Sequence, residues 1–192
     1  MEKYILIGIP GCGKTTLGEK VSERLKLPFF DTDKMTIDHL NLDDHIEMLR
    51  YKTKVRFYHG QYDTVKQLEA HDGPAIIATG AEVALMAQCA SLLKKMGTLI
   101  YIKRPVEDVI QEAKERERSH MHIVIHVGDD GVEVKSAGVE AVKLYAKEDS
   151  QYRDIADVIL NNDASEDEGV NQLASVIERL MKIKQTMKEG VV

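Results

Sequence analysis

The sequence predicts an α/β domain of three layers, a sheet of parallel strands with helices on both faces. Five short apolar runs, Tyr4–Ile7, Pro28–Phe30, Ala75–Ala78, Thr98–Ile102 and Val158–Leu160, are continuous rather than alternating, as expected of strands buried on both sides. The segments between them are longer and mostly repeat their apolar residues at helical spacing, so strand and helix alternate along the chain. At 192 residues the chain is long enough for one well-buried domain and short for two.

Taken in order, the first run leads into a glycine-rich turn, after which Leu17, Val21 and Leu25 recur as one face of a helix. Residues 34–71 are helical in pattern but polar, with Arg50, Lys54, Arg56 and His59 interleaved with Tyr51, Phe57, Tyr58 and Tyr62. After the fourth run, Pro105 suits the first helical position, and Val106, Val109, Ile110 and Ala113 form the apolar face behind it. Ile123–Val127, then Gly128-Asp129-Asp130-Gly131, then Val132-Glu133-Val134 predict a β-hairpin around an Asp-Gly turn. Ser165-Glu166-Asp167-Glu168 has the spacing of a capping box. The helix it opens should bury Val170, Leu173, Val176, Ile177, Leu180 and Met181. The polar stretch and the hairpin stretch (115–150) interrupt the alternation and are expected at the end of the sheet where ligands bind.

The chemistry is concentrated in Gly8-Ile9-Pro10-Gly11-Cys12-Gly13-Lys14-Thr15, which satisfies G-x-x-x-x-G-K-[ST] between a strand and a helix. Its glycines let backbone N–H groups turn inward on phosphate oxygens, and the helix N-terminus adds partial positive charge there. Gly11, Cys12, Gly13, Lys14, Thr15 and Thr16 are therefore the nucleotide-binding candidates, with Lys14 reaching the β- and γ-phosphates and the Thr15 hydroxyl a ligand for Mg²⁺. Asp31-Thr32-Asp33 follows the second strand, so both carboxylates leave it at the same end. One can hold Mg²⁺ while the other orients, or takes a proton from, an acceptor hydroxyl. The competing reading is a turn that caps the next helix.

Composition limits the partners. A net charge of −6 provides no basic field for a polyanion such as DNA, and the aromatic-basic interleaving at 50–62 reads better as a pair of acceptor-site helices. No apolar run is long enough to span a bilayer, and Cys12 and Cys89 alone suit a reducing cytoplasm. The expected partner is thus a small-molecule substrate rather than nucleic acid or membrane, for a cytoplasmic monomer or weak homodimer.

The residues Gly8–Thr16, the helix containing Gly18, and the strand ending Phe30-Asp31-Thr32-Asp33 resemble the opening of shikimate kinases. Gluconate kinases and adenylate-kinase-like enzymes resemble the chain more distantly. Ala78-Thr79-Gly80 is similar to the family's segment after the third strand, and Tyr152–Asp157 to the segment before its last. The resemblance implies a P-loop NTPase fold with a five-stranded parallel sheet, and a single kinase domain over 1–192. It also implies ATP with Mg²⁺, an acceptor-binding segment (34–71) and a lid (115–150). Carried over by position, Gly11, Gly13 and Lys14 would hold phosphates, Thr15 and Asp31 the metal, and Asp33 would be the base on the acceptor hydroxyl. The acceptor would further meet Gly80, Arg56 and His59.

The chain also departs from the family. Gly80 is followed by Ala81-Glu82 where shikimate kinases have a triple glycine, and the two arginines that grip the acceptor carboxylate align with His59 and Glu148. Arg50, Arg56 or Lys147 would have to substitute for them. In the lid, Arg116 and Arg118 are the candidates for stabilising charge on the transferring phosphoryl group, competing with pairing to Glu112, Glu115 and Glu117.

Three weaker signals complete the reading. His120, His122 and His126 fall on one face of a strand but read as solvent-facing rather than as a metal site. Cys12 would be open to alkylation, and Asn161 and Asn162 could meet the adenine ring. Two further functions remain open to the sequence, a nucleoside or nucleotide kinase and a non-catalytic ATP-binding regulator.

Overall fold

The computed structural model describes residues 2–42, 55–118, 124–128, 131–135, 137–188 and 190. Strand β1 (Lys3–Ile7), β2 (Phe29–Asp31), β3 (Ala75–Ala78), β4 (Gly97–Lys103) and β7 (Val158–Asn161) form one parallel sheet in the order β2-β3-β1-β4-β7. All five predicted strands are present, and helices cover both faces of the sheet. Strand β1 is the centre, with Ile5 opposite Ile77 of β3 on one side and Leu99 of β4 on the other. Its five residues are all buried, which is why this run reads as continuously apolar.

Helix α1 (Lys14–Leu25) buries Leu17 and Val21 and packs against α7 (Glu166–Lys188). The Ser165 hydroxyl accepts from the Glu168 amide at 3.3 Å, the capping-box bond expected there. Along α7, Leu173 and Ile177 are fully buried as predicted, whereas Met181 is 39% exposed and Ala174 takes a core position instead. Leu180 still packs against the core and Lys184 pairs with Glu2 beside β1, so Met181 lies on the outer side of the helix.

The polar stretch becomes α2 (Thr32–Leu40) and α3 (Val55–Ala70), packed on each other, with the Thr36 and Thr64 hydroxyls 3.2 Å apart between them. After a short 3₁₀ turn (Val83–Leu85), α4 (Ala87–Met96) packs against α3. Helix α5 (Val106–Arg118) starts one residue later than Pro105, whose carbonyl accepts from the Val109 amide, so the proline is the cap rather than the first helical residue.

The hairpin forms as β5 (Val124–Gly128) paired antiparallel with β6 (Gly131–Lys135), followed by α6 (Ala137–Ile155), which packs on α5. Among the described residues no helix is long and apolar enough to cross a membrane.

Helix α6 is fastened to the sheet by aromatic and ionic contacts. The rings of Tyr101 and Tyr152 stack at 5.4 Å, the Tyr101 hydroxyl donates to Asp149 at 2.7 Å, and Arg153 meets the same carboxylate at 2.7 Å. Partial burial pushes the Asp149 carboxyl up, but the bonds from Arg153 and Tyr101 outweigh it and hold the group below its ordinary value. A carboxyl lowered in the folded state stabilises the fold above its unfolded pKa, and that contribution is lost as pH falls through the folded value.

Two outcomes follow for stability. The melting-temperature advantage of the parent chain over Asp149→Asn should be full at neutral pH. It should shrink once the pH drops below the ordinary Asp value of 3.8. Separately, a Cβ on Gly97 would fall on the Lys3 backbone, at the start of the β1–β4 pairing. Gly97→Ala should therefore cost about 2 kcal/mol or more in chemical denaturation, since that clash is with backbone and not with a side chain that can move.

Candidate active site

Because the sheet is parallel, the loops after β1, β2, β3, β4 and β7 all leave from one edge, and the strand order switches sides around β1. The loop at this switch is Gly8–Gly13. Gly11 and Gly13 have φ of 78° and 101°, left-handed values that a side chain would strain, and Gly13 is the N-cap of α1. Left-handed turns of this kind suit a loop that directs backbone amides at an anion, and the first N–H groups of α1 have no intrahelical acceptor.

Lys14 is only 8% exposed, and its ammonium donates to the carbonyls of Gly8 and Ile9 at 2.8 Å each, with the Cys12 sulfur at 3.5 Å. Cys12 itself is fully buried, so the expected alkylation is corrected: its side chain is part of the core, and its backbone amide donates to the Ile9 carbonyl at 3.4 Å. Thr15 and Thr16 are exposed in the first turn of α1.

The two aspartates divide their work. One oxygen of Asp31 accepts from the amides of Asp33 (2.9 Å) and Lys34 (3.2 Å), capping α2, and the other accepts from the Thr15 hydroxyl at 2.8 Å. Capping α2 therefore occupies only one oxygen of this carboxylate and leaves the other beside Thr15. A hydroxyl and a carboxylate oxygen side by side, next to a phosphate-binding loop, are the oxygen donors that a hard cation such as Mg²⁺ takes. Asp33, in the first turn of α2, seats its carboxylate against Gly80, where a Cβ would fall on Oδ1.

The Gly80 loop is pinned from both sides. Thr32, fully buried between the two aspartates, accepts from the Gly80 amide at 2.8 Å, and the Tyr152 hydroxyl donates to the Ala81 carbonyl. Burial, then the neighbouring Glu148, push the Tyr152 phenol far up, so it stays a donor. Neither Thr32 nor Tyr152 was singled out as a site residue. The signal for Thr32 is the small polar residue enclosed by two aspartates at a strand end.

The other candidates are spread more widely. Glu148, 3% exposed, is enclosed within the fold next to Tyr152. His59 is exposed on α3, and exposed Arg56 reaches the Leu40 carbonyl at 3.4 Å, at the opposite end of α2 from Asp33. Seven residues of helix separate these ends by ~10 Å, so Arg56 is not brought together with Asp33. The backbone puts Arg116 and Arg118 in the last turn of α5, with their side chains outside the described part of the structure. Arg50, Lys54, Tyr51, His120 and His122 lie outside the described residues, and among those described no cluster of His, Cys, Asp and Glu suits a metal ion. Asn162 turns its amide to the Cys12 carbonyl at 3.0 Å, so it meets the phosphate loop. Arg104, which the sequence reading passed over, donates to the Gly11 carbonyl at 2.9 Å from the end of β4.

Comparison with known proteins agrees with this geometry. The family model described as shikimate kinase matches residues 10–178. A shikimate kinase of Clostridium beijerinckii is 31% identical over 182 residues, covering 91% of this chain and 94% of the relative. One from Enterococcus faecalis is 24% identical, covering 90% and 96%. Among solved structures, the shikimate kinase from Acinetobacter baumannii in complex with shikimate has a TM-score of 0.76 at 21% identity, covering 96% of this chain and 94% of that one. The Aquifex aeolicus enzyme has 0.70 at 21% identity, covering 92% and 96%, and at such identities these two speak for the fold. With the matched model running from residue 10, within the phosphate loop, through both aspartates and the hairpin into the last helix, the chain belongs to the shikimate kinase family of small-molecule kinases.

Proposed function

We propose that this protein transfers the γ-phosphoryl group of ATP, taken as its Mg²⁺ complex, to a hydroxyl of a small metabolite, with shikimate the first acceptor to consider. The observation that carries the reading is the Asp33 carboxylate, seated against Gly80, on a residue whose backbone amide donates to Asp31, itself paired with Thr15 beside the phosphate loop. Its expected setting is the cytoplasm.

In this reading the loop amides from Gly11 to Thr16 and the Lys14 ammonium hold the β- and γ-phosphates in line with the acceptor. Asp33 accepts the hydrogen bond of the acceptor hydroxyl and takes its proton as the new O–P bond forms and the bond from the γ-phosphorus to the bridging oxygen breaks, with ADP as the leaving group. Mg²⁺, when bound, would neutralise charge on the phosphate oxygens, with Thr15 and Asp31 as the residues that hold it. Arg116 and Arg118 belong to the lid helix, where a cation brought in by closure would face the transferring group.

The far end of the acceptor is the open question of specificity. Shikimate carries a carboxylate, yet here Glu148 is buried against Tyr152 and His59 is exposed. Lys147, exposed on α6, and Arg50 are the remaining candidates to meet it. The buried Glu148 also favours a second reading, an acceptor that presents hydroxyls rather than a carboxylate at this end. Coupled ADP release with shikimate, neutral polyols and nucleosides separates the two. Shikimate-dependent release supports the first, and release only with uncharged acceptors supports the second.

Three variants test the chemistry. Lys14→Ala should lower turnover by about 10²–10³-fold, since it removes a charge aimed at the phosphates. Asp33→Asn should lower kcat by about 10²-fold with little change in the KM for ATP, and an unchanged kcat would remove Asp33 from the mechanism. Gly80→Ala should displace the Asp33 carboxylate and reproduce that loss of kcat, while calorimetry still detects ATP binding with near-parent affinity.

A further inference from the structure

The phosphate loop is useful only if its amides face inward, which requires its carbonyls to face elsewhere and find donors there. Two of them are held by side chains from distant parts of the chain. Arg104 Nη1 donates to the Gly11 carbonyl at 2.9 Å, and Asn162 Nδ2 to the Cys12 carbonyl at 3.0 Å. Each residue follows a strand on the same side of β1, Arg104 after β4 and Asn162 after β7. Arg104 is itself oriented by helix α5: Glu112 lies 3.5 Å from Nη1 and Asp108 lies 4.0 Å from Nε. The Glu112 chain also covers the outer side of Gly11, where a Cβ would meet its Cγ at 3.1 Å.

We infer that Arg104 is a positioning residue of the phosphoryl-donor site, which turns the Gly11 carbonyl outward and so presents the loop amides to the polyphosphate. The inference rests on the nucleotide-binding part of the kinase reading. With two carboxylates beside it, the guanidinium adds no net positive field at the loop, so it acts through geometry rather than by attracting the anion. Arginine suits the task because its planar fork reaches the carbonyl and a carboxylate from the same nitrogen without rearrangement. The same contacts tie the loop to α5, the helix that leads into the lid.

The test is calorimetry on the full chain with two probes, ATP and inorganic triphosphate, together with steady-state kinetics. Arg104→Met should weaken both ligands by about ten-fold, raise the KM for ATP by a similar factor, and leave the acceptor KM unchanged. Arg104→Lys, which keeps one donor for the carbonyl, should recover part of the loss. The triple variant Arg104→Met/Asp108→Asn/Glu112→Gln removes both neighbouring carboxylate charges as well. The loss should persist in it, whereas recovery there would assign the effect to charge repulsion and overturn the inference. Unchanged affinity in Arg104→Met, or a loss seen with ATP but not with triphosphate, would also overturn it. Failure of the parent chain to bind ATP would overturn the kinase reading and this role together, while parent binding with an unaffected Arg104→Met removes this role alone.

Discussion

Strand β1 is the constraint from which the rest of the molecule follows. It is hydrogen-bonded in parallel on both sides, to β3 and to β4, and every one of its residues is buried. Parallel pairing brings all the C-terminal strand ends to one edge, and burial of the sheet on both faces leaves that edge as the place where loops meet. The glycine loop, the Asp31–Asp33 turn, the Gly80 loop, Arg104 and Asn162 each follow a different strand and are assembled there by the sheet.

Few of the groups at this edge serve only one purpose. Asp31 caps α2 with one oxygen and receives the Thr15 hydroxyl with the other, so the bond that starts the helix also fixes the direction of the free lone pairs. Thr32 is a core residue by burial and the support of Gly80 by hydrogen bonding. Tyr152 belongs to the packing of α6 on β4 and at the same time holds Ala81. A reacting carboxylate held to a fraction of an ångström needs neighbours that are themselves immobile, and residues already fixed by the core supply that.

The two halves of the cleft differ in how closely they follow the family. At the phosphate side, the glycine loop, Lys14, Thr15 and both aspartates are the residue types the resemblance calls for, and the sheet brings them to one edge. On the acceptor side, Ala81, Glu82, His59 and Glu148 stand at positions where shikimate kinases carry glycines and arginines. The polyphosphate is common to every kinase of this kind, so its cradle is constrained by unchanging chemistry. In the proposed reading the acceptor meets side chains outside the sheet, and such segments change without disturbing it.

The sequence by itself determined the five strands, the hairpin, the Ser165 cap and the phosphate loop, because each depends on residues close together in the chain. Period, turn chemistry and capping are local properties, and Gly8–Thr15 carries its geometry in its own glycines. Only the tertiary structure decided that Cys12 is core rather than reactive, that Asp33 rests on Gly80, and that Tyr152 supports Ala81. It alone decided that Met181 emerges from the core and that Arg104 and Asn162 grip the phosphate loop. The Arg104 and Asn162 bonds join residues 93 and 150 positions apart, and no pattern along the chain encodes which solitary side chain will meet a given carbonyl. That is set by strand order, which puts β4 and β7 beside β1, and by the depth to which the sheet buries each loop.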